Sequence, residues 1–345
     1  MRASATEVLM SLARLAAAAV VAAALVSSAS ADDEPAPLKF AWPVPSKVTV
    51  TEKMLRAGHT VTTKYTVSLE RSGESGDSRV HPSDFEFTEV DGKPSTDPSV
   101  APIVTAMMPV TKSIPDLLIG ADGAVKDVIG LDNTITIMIE EMTKNVDERH
   151  KAQISALRAQ FDSPAMREQM KRDAAKNWTA WVANWSGRVI PEGKGVEGTW
   201  PVSFPDGVAV TAPTRYRRMP AEDEGPGLVK LTRESTLDGE DSQAPFEEFL
   251  ARAEAAAGRP LGATGMRLVD RVAVVTDPAT LRPTWVRREE LRVIHLKGVA
   301  DRSDIERHEY TFAWPAAEKP KPVEPTAPSA PVQPVEPVKP AEGGK

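Results

Sequence analysis

The stretch Val61-Thr62-Thr63-Lys64-Tyr65-Thr66-Val67-Ser68-Leu69 alternates its side chains without interruption. A period of two puts Val61, Thr63, Tyr65, Val67 and Leu69 on one face, the pattern of a half-buried strand. Val48 and Val50 carry the same alternation upstream, and Phe85 and Phe87 carry it downstream. Asp91-Gly92 and Asp122-Gly123 read as hairpin turns, since glycine tolerates the positive φ that such turns require. Between them, Ile103 to Val110 and Ile114 to Ile119 are apolar runs punctuated by proline, read as further short strands. The C-terminal part returns to strands at Val208 to Tyr216, Leu228 to Leu237, Arg267 to Thr276, Thr284 to Leu296 and Ile305 to Trp314. Asp277-Pro278 and Lys297-Gly298 mark the last turns. Short strands joined by tight turns imply an antiparallel meander and not a βαβ wind.

The middle of the chain switches to helical spacing. Leu131, Ile135, Met138, Met142 and Val146 recur every three or four residues, and Ile154, Leu157 and Phe161 resume the stripe, with Asp132 as N-cap. A second helix is predicted from Pro164, capped by Asp162 or Ser163, with Met166, Met170, Ala174, Trp178, Trp181 and Trp185 on one side and Gly187 ending it. Two such helices with a short loop form an antiparallel hairpin over residues 131–185, whose apolar stripes must be covered. A third, shorter helix spans Pro245 to Ala257. The fold class is therefore α+β: an antiparallel β-sheet meander with a mid-chain two-helix hairpin insertion and a disordered Pro-rich C-terminal tail.

Both ends differ from this domain. Arg2 and Arg14 flank a charged start, Leu15 to Val26 is an unbroken apolar run, and Ala29-Ser30-Ala31 precedes Asp32-Asp33-Glu34. That is the layout of a cleaved signal peptide over residues 1–31, too short to span a bilayer as a helix. It predicts export to the periplasm or the extracellular space of a bacterium. Residues 32–37 form a linker. Phe40-Ala41-Trp42-Pro43 and Phe312-Ala313-Trp314-Pro315 bound a single domain, 38–315, each proline being read as the stop of a short aromatic strand. Within the tail, 316–345, prolines 322, 325, 328, 331, 334, 337 and 340 fall at every third position. On a polyproline II rod all seven rings share one edge, and residues 320–340 reach roughly 65 Å.

Composition removes several classes of function. The formal net charge is −7 over 345 residues, and residues 1–31 carry two arginines against one glutamate, so the exported chain is more acidic still. Acids are interleaved with bases, which argues against a nucleic-acid partner. With no cysteine there is no disulfide, thiol nucleophile or thiolate metal site. The five histidines (His59, His81, His150, His295, His308) lack metal-ligand spacing. A turn centred near Val299-Ala300 would set His295 opposite Asp304 and His308 opposite Leu291. No nucleophile elbow or nucleotide cradle occurs. The pairs Glu140-Glu141, Glu247-Glu248 and Glu289-Glu290 are sequence neighbours, which diverge on a helix or point to opposite faces of a strand. No catalytic residue, metal ligand or cofactor is therefore assigned. Two basic knots, Arg215-Tyr216-Arg217-Arg218 and Arg287-Arg288 with Arg292, are read first as cross-strand partners of acids such as Asp304, Glu306 and Glu309. A phosphate or lipid-headgroup site is the sharper alternative.

The unusual constellation is apolar. Trp178, Trp181 and Trp185 share one stripe, and Met138, Met142, Met166 and Met170 fall on facing stripes of the hairpin. These seven residues are the candidate ligand-binding set, because methionine is flexible and polarizable and suits a surface that must adapt to varied apolar shapes; the same stripe also suits a plain core.

The segment Ile119-Gly120-Ala121-Asp122-Gly123-Ala124-Val125-Lys126-Asp127-Val128-Ile129-Gly130, the helical stretch after it, and Ile190-Pro191-Glu192-Gly193 running to Val196-Glu197-Gly198-Thr199-Trp200 resemble an uncharacterised family of bacterial exported proteins and lipoproteins. That family follows a proline with a Gly-Asp-x-Trp-like strand start, and here Gly198 lacks the acid after it. The resemblance implies an antiparallel, helix-inserted β fold and no known activity. A sheet with helices in an exported protein is also similar, at the level of fold alone, to the periplasmic lipoprotein carriers, whose half-barrels enclose acyl chains. The expected function is a non-enzymatic exported protein that binds an apolar or amphipathic, lipid-like ligand between sheet and helices. The alternative is an envelope structural or interaction protein that engages a partner or cell-wall polymer through residues 320–340.

Overall fold

A computed structural model describes residues 35–73, 76–143, 158, 161–203 and 209–315. The expected signal peptide, the Pro-rich tail and the link between the two central helices lie outside the described residues. Twelve strands make one antiparallel sheet: β1 (Ser46–Arg56), β2 (His59–Ser72), β3 (Asp77–Val90), β4 (Lys93–Pro94), β5 (Asp116–Ile119), β6 (Val125–Ile129), β7 (Gly195–Ser203), β8 (Ala209–Pro220), β9 (Val229–Leu237), β10 (Ala263–Thr276), β11 (Pro283–Leu296) and β12 (Arg302–Ala313). Their order is β6-β5-β3-β2-β1-β12-β11-β10-β9-β8-β7, with β4 paired only to β3. Two meanders thus meet at one seam, where the first strand pairs with the last and Val50 stands opposite Phe312. The two Phe-Ala-Trp-Pro copies meet at this seam as well. Trp42 and Trp314 lie edge to face at 4.7 Å, and their indole N–H groups donate to the carbonyls of Leu281 and Pro283 at 2.9 and 2.7 Å.

Among the described residues four α-helices accompany the sheet: α1 (Ala101–Lys112), α2 (Leu131–Thr143), α3 (Pro164–Trp178) and α4 (Glu240–Ala257). Alternation along the strands gives one face of the sheet a continuous apolar surface. Val48, Val50, Tyr65, Val67, Leu69, Leu231, Val274, Val286, Tyr310 and Phe312 are all buried there beneath the helices. Smaller clusters seat α4 through Phe246 against Leu237 and Leu268, and α1 through Val104 and Met107 against Val61 and Phe87.

Several expectations are corrected. Ile103 to Val110 is helix, not strand. Pro102 sits in the first turn, where its missing N–H costs nothing, and Val100, Val104, Met107 and Met108 recur at helical spacing. An eight-residue apolar run does not by itself distinguish the two states. Phe40 to Pro43 forms no strand. The helix at Leu131 begins directly after Gly130, so Asp132 lies in its first turn and pairs with Arg167 instead of capping. Ser163 does cap α3, accepting from the Met166 N–H at 3.3 Å, and Gly187 has the expected positive φ. The α-helix, however, stops at Trp178 and continues as a π-turn, Thr179–Ala183. Of the expected hairpin the described parts are α2 and α3. The short third helix starts five residues early, so Pro245 lies inside it. The β11–β12 turn closes around Gly298, which puts His308 opposite Arg288 and Arg292 opposite Asp304; the sequence estimate was three positions out.

Gly123 is the position where glycine is required. Its φ is +81°, and an added Cβ would lie 2.8 Å from Phe40 Cγ and 3.1 Å from Val182 Cγ1. Gly123→Ala combines left-handed backbone strain with overpacking, and is expected to lose about 2–4 kcal/mol. Urea unfolding monitored by tryptophan fluorescence checks this, and an unshifted midpoint would contradict it.

Candidate functional site

α3 crosses the apolar face of the sheet and divides the space above it. On its β1–β3 side lies a gap of about 90 Å³ lined by Tyr65, Val67, Phe85, Ala174, Trp178 and Trp181 among others. On its β7–β11 side lies a hollow of about 500 Å³. The two differ because the central tryptophans fill the first. Trp178 packs edge to face on Phe40 and Trp42 at 5.7 and 5.0 Å, and its indole N–H donates to the Gly123 carbonyl at 2.8 Å. Trp181 meets Tyr310 and Phe312 at 5.2 and 5.1 Å. Trp185 turns toward Tyr216, with its N–H donating to the Ala180 carbonyl. The π-turn widens the helix by one residue in this segment, and all three indoles are buried.

Of the seven sequence-selected residues, the structure therefore gathers Trp178, Trp181 and Trp185 in the main core, with Met170 packed against it. Met138 and Met166 are half-buried, and the Met142 side chain lies outside the described residues. None of the seven lines the larger hollow.

That hollow is two-sided. Trp200, Pro201 and Val202 from β7 and Leu268 from β10 form an apolar wall. Arg172, Asp173 and Lys176 descend from α3, and Arg288, Glu290 and Arg292 rise from β11. Strand alternation explains the last three: a period of two sends Arg288, Glu290 and Arg292 to the helix side and Arg287 and Glu289 to the other. Glu290 accepts from Lys176 Nζ and Arg292 Nε, both at 2.7 Å. Burial works to raise its carboxyl pKa, but the two cations outweigh burial and hold it below the ordinary value. On the floor, Arg233 stacks over the Trp200 ring at 4.1 Å, donates to Asn184 Oδ1 at 3.3 Å and pairs with Asp270. Burial lowers the Arg233 pKa, with Asp270 opposing. Asn184 Nδ2, Arg233 Nε and Asp270 Oδ1 remain sealed without a partner among the described residues. Buried polar atoms of this kind each cost about 1–3 kcal/mol, so this is a strained polar floor. Five cations face three carboxylates around the hollow, a positive excess in an acidic chain.

A second buried charge cluster adjoins it. Glu306 accepts from Arg288 Nη2 at 2.6 Å and from His308 Nε2 at 3.0 Å, and Glu52 lies 2.6 Å from His308 Nδ1. The His308 hydrogen bond, with Lys176 and Arg288 nearby, holds the Glu306 carboxyl far below its usual range. Burial acts to lower the His308 pKa, but the two carboxylates outweigh it and raise the pKa. The two carboxylates occupy opposite ring nitrogens, an arrangement that orients the imidazole. Among the described residues no group of His, Asp or Glu is placed to hold a metal ion, and no helix is long and apolar enough to cross a membrane.

No protein-family model matches the chain, and no curated protein matches it in sequence. Sequence reasoning named Arg288 and Arg292 as a headgroup alternative but missed Lys176, Arg233, Asp270 and the Trp200 wall. The one usable signal was Trp200 itself, an aromatic placed next to Pro201 in the second half of β7.

Proposed function

We propose that this is a non-enzymatic exported protein that holds an amphipathic, lipid-like ligand in the hollow between α3 and strands β7–β11. The observation that carries the reading is the hollow's two-sidedness. Its volume of about 500 Å³ lies inside the ordinary range for small-molecule sites, and it sets Trp200, Val202 and Leu268 against Arg172, Lys176 and Arg292. A chain with an acyl or ring portion and an anionic end satisfies both walls, whereas a purely apolar ligand would leave the cations desolvated. The signal-peptide layout supports export. The 90 Å³ gap beside Trp178 is too small for such a ligand and accommodates at most a branch of it.

Natively purified protein is expected to release an amphiphile on solvent extraction, identified by mass spectrometry, and to bind a dansylated fatty acid. Val202→Trp, at a half-buried position of the apolar wall, fills the hollow and should abolish probe binding while circular dichroism and the thermal transition stay unchanged. A clean extract together with equal probe binding by the parent and Val202→Trp proteins would overturn the reading. Deleting residues 318–345 should leave probe binding intact. If binding is absent and envelope retention depends on those residues, the tail-mediated interaction role takes its place.

A further inference from the structure

The opposite face of the sheet, away from the four described helices, carries its own ordered charges. In one cross-strand row Glu197, Arg215, Glu234, Arg271, Glu289 and Arg307 stand side by side on β7 to β12, alternating in sign at every step. Opposite charges in direct register stabilise one another, so this row is internally matched. The next row breaks the rule. It reads Arg217, Thr232, Ala273 and Arg287 on β8 to β11: two guanidinium groups separated by two small residues. The row beyond reads Met219, Lys230, Val275 and Trp285. The small residues leave a trough floored by Thr232 and Ala273, part of a cleft of about 700 Å³ on this face.

The trough's cations are under-matched. Among the described residues Arg217 has no carboxylate or hydrogen-bond partner, and the Lys230 ammonium has only the Trp285 ring, at 6.0 Å. Arg287 stands opposite Glu309, but Glu309 accepts from the Trp285 indole N–H at 3.1 Å. Arg287 is left to share Glu289 with Arg271 and Arg307, at 3.2, 3.6 and 2.7 Å respectively. One carboxylate thus serves three guanidinium groups. Arg215, by contrast, lies toward β7 and pairs with Glu197 at 3.3 Å. Six cations and three acids line the cleft, in a protein whose net charge is −7; one of the six, Arg233, points to the helix side and pairs with Asp270.

We propose that this trough is a second binding site, for a phosphate-bearing ligand held by Arg217, Lys230 and Arg287. β8 and β11 are three strand spacings apart, about 14 Å, near enough for two extended arginines to close on one group between them. Two forked guanidiniums and an ammonium supply the several N–H donors and the charge that a phosphate's oxygens require. Trp285 and Met219 border the trough and give the organic part of a phosphate ester an apolar surface. The site is on the other face from the amphiphile hollow and is independent of it.

The test uses the full-length mature protein at low salt, because exposed charges are screened as salt rises. Isothermal titration with glycerol phosphate and with inorganic phosphate is run beside co-sedimentation with phosphatidylcholine vesicles, with and without phosphatidic acid. Binding to the soluble esters identifies a free phosphate ligand, and binding only to phosphatidic-acid vesicles identifies a lipid headgroup. In either case the double variant Arg217→Gln/Lys230→Gln should weaken binding about tenfold or more, as expected for loss of charged hydrogen bonds. Arg215→Gln, which breaks the matched row, should bind within about twofold of the parent. Arg215 and Arg217 are exposed and Lys230 is half-buried, and an unchanged thermal transition of both variants verifies folding. The proposal is overturned if neither ligand form binds, or if the double variant binds as the parent does.

Discussion

Trp178→Ala is expected to unfold at a much lower urea concentration than the parent, with a loss of about 3–5 kcal/mol. The indole is 1 % exposed, touches Phe40 and Trp42 edge to face, and satisfies the Gly123 carbonyl. Truncation therefore opens a cavity at the seam and strands a buried acceptor in one step. Since domains are typically stable by only 5–15 kcal/mol, the loss is a large fraction of the whole. Trp178→Phe keeps most of the ring volume and forfeits the hydrogen bond, so it should fall between the two. The measurement also separates two roles for the aromatic stripe. An alanine variant of near-parental stability that no longer binds an amphiphile would identify Trp178 as ligand wall instead of core.

Glu306→Gln is expected to cost about 3–5 kcal/mol, because removing one member of a buried charge group leaves the others uncompensated. Arg288 is 4 % and His308 8 % exposed, so water does not take the carboxylate's place. The double variant Arg288→Met/Glu306→Leu should recover much of the loss, because burying matched apolar groups avoids the desolvation of both charges. The same cluster gives a pH signature. The Glu306 pKa is depressed, so its contribution is complete above an unfolded-state value near 4.3 and is lost as pH falls below it. The His308 pKa is raised, so its contribution is complete below about 6.5 and is lost as pH rises through the elevated folded value. Together they favour a maximum at mildly acidic pH. The difference between parent and His308→Gln isolates the cluster: the parent's advantage should shrink steadily on the alkaline side. An advantage that stays constant from about pH 6 to about pH 9 would refute the assignment.

The sheet was legible in the sequence because one face is buried and the other is wet, so strands such as Val61 to Leu69 announce themselves by alternation. The opposed destinations of Glu289 and Glu290 followed from the same period. α1 was not legible: its two prolines resemble strand punctuation, and its apolar residues run together because it packs against both the sheet and α2. Nor was the β11–β12 register, since a tight turn at Gly298 and a wider one two residues on leave similar patterns. The hollow was beyond reach for another reason. Arg172, Trp200, Arg233, Leu268 and Arg292 come from five elements, and only the crossing of α3 over the sheet brings them together. The tryptophan stripe was visible at once, but periodicity reports that a face is covered and not what covers it.

The pairing of the first strand with the last has a consequence for biogenesis. Until Arg302–Ala313 has been synthesised and is free to move, the two meanders cannot zip together, and Val50 waits for a partner more than two hundred positions away. Such distant pairing is slow to form and cannot nucleate early. The same pairing makes the domain's two extremities neighbours, so a circularly permuted version joined across them is geometrically accessible.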